Sequence, residues 1–493
     1  MIKRQPNIVW LLSDHFAYKQ YADLPGPKPY TPTLNRIASE GAFFNNAYTV
    51  CPLCGPARAS MLTGRYPHNH GIIQNDGNCG APVDFEPDIR LFSHYLNRAG
   101  YRCGYFGKWH CGHVRTALDY GFEGWTLPDY GFPYNKDIYR DYLRKNKLRE
   151  PVVELEYEFG SRKPFGRINL CEEPNAFAHM NCSGVLLSQA EAHESFFVTY
   201  LACKWLEQRS ENLQPFLLRV DVWGPHQPYF VAAPFKDSID PAKIPEYPSF
   251  NRSLDDRPAH HRDFGKHCCD KRVLSEWSDW RKVAARCYEH ISLVDNALGS
   301  VLETLDRCGL YENTIVIYTT DHGDILASNG GLFDKGSMMV EETMRIPMAV
   351  RWPGRIKPGF KSSALVTNMD IVATVLDAAG AEMPPGLDGQ SMLSLFESSD
   401  NEKWREELMC EHHGHAVDAF QRFLRWKNYK YVAHYNDIDE LYDLDRDPFE
   451  LRNRAEDPEM KDIRNEMRER LAKQMIKSGD NSCKAGEMLK TLT

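Results

Sequence analysis

Two short apolar runs in this chain end in the same polar pair. The segment 7-NIVWLL-12 leads into Ser13-Asp14-His15, and 314-TIVIYTT-320 leads into Asp321-His322-Gly323. Runs this short and this rich in β-branched residues read as strands covered on both faces, the pattern of a parallel sheet. The segments 215-PFLLRVDVW-223 and 346-IPMAVRW-352 read the same way. Helical periodicity fills the intervals, as in 33-TLNRIASEGA-42 and 282-KVAARCYEHISLVDNALGSVLETL-305. Strands alternating with helices predict an α/β domain built on a large, mostly parallel mixed sheet with helices on both faces. Ligands of such sheets bind beyond the carboxyl ends of the strands, where both Asp-His pairs fall.

The 493 residues leave room for a second, smaller unit. After the helical pattern 368-NMDIVATVLDAAG-380 comes a Pro/Gly-rich link, 384-PPGLDGQS-391. Strand-like pieces then follow at 421–435 and 440–450, with a charged helix near 458–473. The expected division is a catalytic domain over 1–380 and an α+β subdomain over 381–493. Within the first, 125–190 is rich in Tyr, Phe, Pro and charge and reads as an irregular insertion over the sheet. A net charge of -9 gives no basic face for a nucleic acid. The run Ile8–Leu12 is too short for a signal sequence or a membrane span, and no later stretch approaches one. The expectation is therefore a cytoplasmic protein without a membrane partner, its 14 cysteines reduced and mostly structural. The oligomeric state stays open, a homo-oligomer included.

The densest chemistry lies in 51-CPLCGPARASMLTGRYPHNHG-71. Cys51 and Cys54 could begin a zinc site, form a redox pair or be buried thiols. A zinc site needs a second pair at a useful spacing, and the adjacent Cys268-Cys269 do not supply it. Gly55-Pro56 follow Cys54 at once, and 57-ARASMLTG-64 reads as a short helix stopped by Gly64. Arg58 falls one turn in, on the Cys54 side, an arrangement for a nucleophile and an anion clamp. Asp14 and Asp321, with His15 and His322, could hold a divalent cation or merely cap turns. His68 and His70 read as shaping the turn after this helix. His412, His413 and His415 could reach a pocket or form a solvated loop, and His260-His261 carry the same ambiguity.

Cys54-Gly55-Pro56-Ala57-Arg58 followed by Leu62-Thr63-Gly64 resembles the C-x-P-x-R…L-T-G signature of the type I sulfatases of the alkaline phosphatase superfamily. Further stretches resemble that family in the same order: 107-GKWHCG-112, 224-GPHQPY-229, Asp321-His322-Gly323, Lys335-Gly336 and 440-ELYDLDRDPFELRN-453. The resemblance implies hydrolysis of a small-molecule or saccharide sulfate ester. It implies that a formylglycine-generating enzyme or an anaerobic maturase converts Cys54 to formylglycine. One hydroxyl of the hydrate attacks sulfur, and the other, ionised with help from His110, expels sulfate. A divalent cation, calcium first with manganese or magnesium as alternatives, is implied at Asp14, Asp321, His322 and residue 54; His15, where many relatives carry a second Asp, either adds a nitrogen ligand or leaves the metal shell. Arg58, Lys108 and Lys335 are implied at the sulfuryl oxygens, and His226 or Lys335 at the leaving oxygen. The stretch from Cys54 through 70-HGIIQNDG-77 also resembles the phosphonate monoester hydrolases, where Asn75 would stand near the substrate oxygens; the Lys108/His110 pair favours the sulfatases. A non-catalytic binder of sulfated glycans is a third reading, opposed by the intact modification signature.

Overall fold

In the computed structural model, residues 5–75, 77, 81–159, 166–209, 214–268, 274–397, 404–415 and 417–493 are described. The first apolar run forms the strand Asn7–Ser13, buried at every position. Its alternating side chains enter two different cores. Val9 and Leu11 pack with Leu293, Leu298 and Val198 on one face, while Ile8, Trp10 and Leu12 pack with Met61, Leu62 and Val372 on the other. This double burial explains why the run shows no polar alternation.

Eight strands form the main sheet, in the spatial order Phe360–Thr367, Ala42–Tyr48, Ala349–Arg351, Thr314–Thr320, Asn7–Ser13, Phe216–Asp221, Arg102–Lys108 and Glu123–Leu127. Ala349–Arg351 runs antiparallel to both neighbours, and every other pairing is parallel. The register matters for the site. Asn7 pairs with Thr314 and Ser13 with Thr320 without a shift, so the two Asp-His pairs leave the sheet side by side. Leu12 and Gly107 both pair with Asp221, which brings a third carboxylate and Lys108 to the same edge. The 31-residue helix Trp277–Arg307 and the helix Glu194–Glu207 cover one face; Cys54–Thr63, Phe92–Arg98 and Asp370–Ala379 cover the other.

The segment 125–190 is more ordered than its composition suggests. It contains the helix Asp137–Asn146 and the strands Val152–Glu158, Arg167–Asn169 and Cys182–Leu186, which form a second sheet with Tyr229–Val231. These strands escape the periodicity argument for physical reasons. Val152–Glu158 is half-buried and studded with glutamates, its register shifts between Leu155 and Tyr157, and the outer partner of Cys182–Leu186 is Tyr229–Val231, from later in the chain.

The C-terminal region forms an antiparallel sheet of Glu407–His412, Gln421–Trp426, Tyr429–His434 and Glu440–Asp443. The helix Lys461–Ser478 covers it, placing Met467, Leu471 and Met475 against Met409, Leu424 and Tyr431. A last helix, Cys483–Leu492, has no counterpart in the sequence reading. The mostly parallel sheet between helical layers, followed by a smaller α+β unit, is the predicted fold class. Among the described residues, no helix is long and apolar enough to cross a membrane.

Candidate active site

The stretch around Cys54 folds as its turn residues dictate. The helix Cys54–Thr63 starts after extended Leu53, carries Pro56 in its first turn and ends at Gly64 with φ 68°. All ten of its residues are buried. Gly55 donates its N–H to Asn75 Oδ1 at 2.8 Å, and a Cβ on Gly55 would meet that oxygen at 2.9 Å. Asn75 is thereby fixed beside residue 54.

Four residues converge at this point. Asp14, Cys54, Asp321 and His322 offer donor atoms all within 4.8 Å of one another, and all four are buried. Cys54 Sγ lies 3.1 Å from His322 Nε2 and 4.0 Å from Asp14 Oδ1. His322 Nδ1 is 2.9 Å from Gly323 O; donating there leaves Nε2 as the ligand nitrogen. Two carboxylates, an imidazole nitrogen and residue 54 suit a divalent cation of hard to borderline character.

Arg58 stands elsewhere than expected. Its Nε donates to Asp321 Oδ2 at 2.9 Å, Nη2 to Asp14 Oδ2 at 3.1 Å, and Nη1 to Asp221 Oδ2 at 3.1 Å and Lys108 O at 3.2 Å. With no solvent exposure and this set of partners, the guanidinium braces the carboxylates from behind instead of clamping substrate oxygens. Burial opposes its charge, but Asp321, Asp14 and Asp221 hold its pKa well above the usual value. Lys108 Nζ donates to Asp14 Oδ2 at 2.5 Å and lies 4.1 Å from the centre of the Tyr130 ring. Burial raises the Asp14 pKa, yet Lys108 and Arg58 bring it below the ordinary carboxylate value.

The two thiols of the Cys51–Cys54 stretch differ in the same terms. Burial, reinforced by Glu411, pushes the Cys51 pKa well up. Burial acts likewise on Cys54, but Lys108, Lys335 and His322 together hold it well below the usual thiol value. His110, with φ 55°, also helps to lower it.

His15 does not join the four donors. Its backbone N–H donates to Asp321 Oδ1, but φ 70° sends the ring into a second group with His226 and Asp334. Its Nε2 lies 3.4 Å from Asp334 Oδ1, and its ring centre lies 4.6 Å from that of His226. Burial, with Lys335 and His226 nearby, pushes its pKa well down and keeps it neutral. Of the two expectations for His15, this placement matches the one outside the metal shell: its ring stands 4.9 Å from that of His322 but groups with His226 and Asp334. In the same group Lys335 Nζ contacts Asp334 at 2.9 Å and donates to His226 Nε2 at 2.8 Å. His226 Nδ1 donates to Gln227 O at 2.7 Å. Burial works against a charged Lys335, but Asp334 and Cys54 raise its pKa above the usual value.

The remaining histidines support the turns around the site. His70 Nε2 lies 3.0 Å from Ser60 Oγ, and Nδ1 accepts from Ile72 N–H at 3.1 Å. His412 is buried with Nε2 3.2 Å from Gly336 O, and the His415 N–H donates to Ser337 Oγ at 2.6 Å. His260 Nε2 donates to Ser337 O at 3.0 Å. These contacts fix the turn that carries Lys335 against the C-terminal sheet. The side chain of Cys268 and all of Cys269 lie outside the described residues. The sequence argument overlooked Asp221, Asp334 and Tyr130. Asp221 ends the observed strand Phe216–Asp221, but in the sequence it sits inside the predicted run 215-PFLLRVDVW-223 and carries no strand-end signal.

A family model described as Sulfatase matches residues 6–381, and one described as N-sulphoglucosamine sulphohydrolase, C-terminal, matches 328–477. An ulvan-active sulfatase of Formosa agariphila is 26% identical, covering 97% of this chain and 82% of its own. An N-acetylglucosamine-6-O-sulfatase of Bacteroides thetaiotaomicron is 27% identical over 91% and 82%. The solved phosphonate monoester hydrolase of Agrobacterium radiobacter superposes with a TM-score of 0.76 at 19% identity, covering 96% of each chain, a likeness of fold. The first model spans the buried N-terminal strand, the Cys54 helix, the Asp321-His322 end and Lys335, and on that span the chain belongs to the sulfatase family.

Proposed function

We propose that this sulfatase cleaves the sulfate monoester of a small-molecule or saccharide alcohol, with formylglycine formed at Cys54 and one divalent cation. One observation carries the reading: the Cys54 sulfur meets the donors of Asp14, Asp321 and His322 at a single buried point, beside Lys335 and its contact to His226. The saccharide half of the reading draws support from the relatives that act on ulvan and on N-acetylglucosamine 6-sulfate.

Asp14, Asp321, His322 and residue 54 would hold the cation, calcium by family resemblance and manganese or magnesium as alternatives. Hydrated formylglycine supplies a geminal diol, in which one hydroxyl can attack sulfur while the other can later expel sulfate. Arg58 keeps Asp14, Asp221 and Asp321 together while carrying no substrate itself. The Lys108 and Lys335 ammonium groups offset charge on the sulfuryl oxygens. Lys335, protonated and hydrogen-bonded to His226, is placed to give a proton to the leaving alcohol oxygen. His110, which helps to lower the Cys54 pKa, would take one from the second hydroxyl. The Cys54–Arg58 signature makes a formylglycine-generating enzyme or an anaerobic maturase the partner that prepares the site.

A second reading, phosphonate monoester hydrolysis, is favoured by the fold likeness to the phosphonate enzyme. Turnover of 4-nitrophenyl sulfate and phenyl phosphonate separates the two. Cys54→Ala should lower sulfate turnover by about 10³-fold or more, while Cys51→Ala keeps most of it. Intact mass should show the thiol-to-aldehyde conversion at residue 54. Preference of the unaltered protein for the phosphonate by about tenfold or more would replace the first reading with the second.

A further inference from the structure

Beside the proposed reaction centre lies a pocket of about 570 Å³, open mouth included, that shares two walls with it. His226, whose Nε2 receives Lys335, is one shared wall; Tyr130, whose ring lies under Lys108, is the other. Aromatic rings dominate the remainder: Phe132, Tyr134, Trp223 and Phe230. Several are fixed in advance. Trp223 Nε1 donates to Tyr130 O at 2.8 Å, and Tyr134 donates its hydroxyl hydrogen to Glu194 Oε2 at 2.8 Å. The pocket therefore exists before a ligand orders it.

Its wall lacks long cationic side chains. No lysine or arginine stands among the described residues of the wall, and Glu194 is an embedded anion. Burial raises the Glu194 pKa, but His193, His290 and Tyr134 bring it down to about 2, so the carboxylate is ionised at any working pH. Its oxygens are already taken by Tyr134, Ser195 and His193. A second sulfate or a carboxylate placed here would lose water against apolar rings, find no lysine or arginine, and meet a Glu194 whose His193 partner is already engaged. Binding a polyanion needs the opposite wall, with arginine or lysine forks.

We infer that the alcohol half of the substrate is an uncharged, ring-sized apolar group seated in this aromatic pocket, and that the enzyme discriminates against alcohols carrying a second anionic group. The inference rests on the sulfate-ester reading above and narrows it.

The test combines turnover with binding. The unaltered enzyme should favour 4-nitrophenyl sulfate over D-glucosamine 2-N,6-O-disulfate in kcat/KM by about tenfold or more. Phe132 is half-buried at the pocket and belongs to neither the cation group nor the proton-transfer residues. Phe132→Lys, which adds the missing cation, should narrow that ratio about tenfold, while Phe132→Leu should leave it within about threefold. A preference for the disulfate, or a ratio unmoved by Phe132→Lys, overturns the inference. Phenol binding, followed by tryptophan fluorescence, is read independently of turnover. It should be saturable in the unaltered protein and lose its signal in Trp223→Phe; no saturable signal also overturns the pocket assignment. If only phenyl phosphonate is turned over, the sulfate reading fails and the phenol titration alone decides the pocket.

Discussion

Asp14-His15 and Asp321-His322 are the same dipeptide at the ends of adjacent parallel strands in register, yet their histidines do different work. His322 keeps Nδ1 on Gly323 O and presents Nε2 to residue 54. Gly323 permits this because its backbone passes so close to Glu342 O that a side chain there would collide. His15 has no glycine after it and itself adopts φ 70°, rare for a non-glycine residue, which carries its ring across to Asp334 and His226. Residue identity at a strand end tells what chemistry is available; the next backbone torsions decide where it is delivered.

The largest expected effect breaks the comparison outright. Asp321→Ala should remove the bound divalent cation and lower turnover by about 10³-fold or more, since the Lewis acid contributes several kcal/mol. His322→Ala should likewise lose the metal, whereas His15→Ala should retain one equivalent. Metal analysis of the purified variants, beside their turnover, reads both, and loss of the metal in His15→Ala would return that residue to the ligand set.

Next in size is the brace behind the two ends. Arg58→Ala leaves three buried carboxylates without their shared cation and should destabilise the fold by about 3–5 kcal/mol. Denaturant unfolding measures this. A variant as stable as the parent would mean that the carboxylates do not depend on Arg58.

The smallest effect uses a histidine–carboxylate pair remote from the cation group. His68 Nδ1 lies 2.5 Å from Glu411 Oε2; burial lowers its pKa, but Glu411 raises it to about 9 from 6.5. A raised folded-state pKa gives stability that is full below pH 6.5 and lost as the pH climbs through about 9. The unaltered protein should lose up to about 3 kcal/mol across that window, and His68→Gln should flatten the loss. Melting temperatures from pH 6 to 9.5 check the slope.

The sequence exposed those features that lie in one short stretch. Asp14, Asp321 and His322 were legible because each follows an apolar run, and Cys54 because Pro56 and Arg58 stand beside it. The contacts of Arg58 were not legible, since they need three strand ends in a fixed register. Asp221 was masked by the valines on either side of it in 215-PFLLRVDVW-223. The positive φ at His15 has no signal in a dipeptide that occurs twice. The same limit applies to folding: 346-IPMAVRW-352 announced a strand but not that it would run against its neighbours. The second sheet depends on Tyr229–Val231 joining strands far earlier in the chain.

The burial of the Cys54–Thr63 helix has a consequence in time. Cys54 is fully buried in the folded chain, with the carboxylates that Arg58 braces and the Asn75 contact beside it. A maturase with its own active site cannot admit a residue in that position. The proposed conversion at residue 54 would therefore belong to the nascent chain, before Thr314–Thr320 arrives beside Asn7–Ser13. Folding would then end the period in which the proposed conversion can occur, and a molecule that folded first would be a complete structure without its reagent.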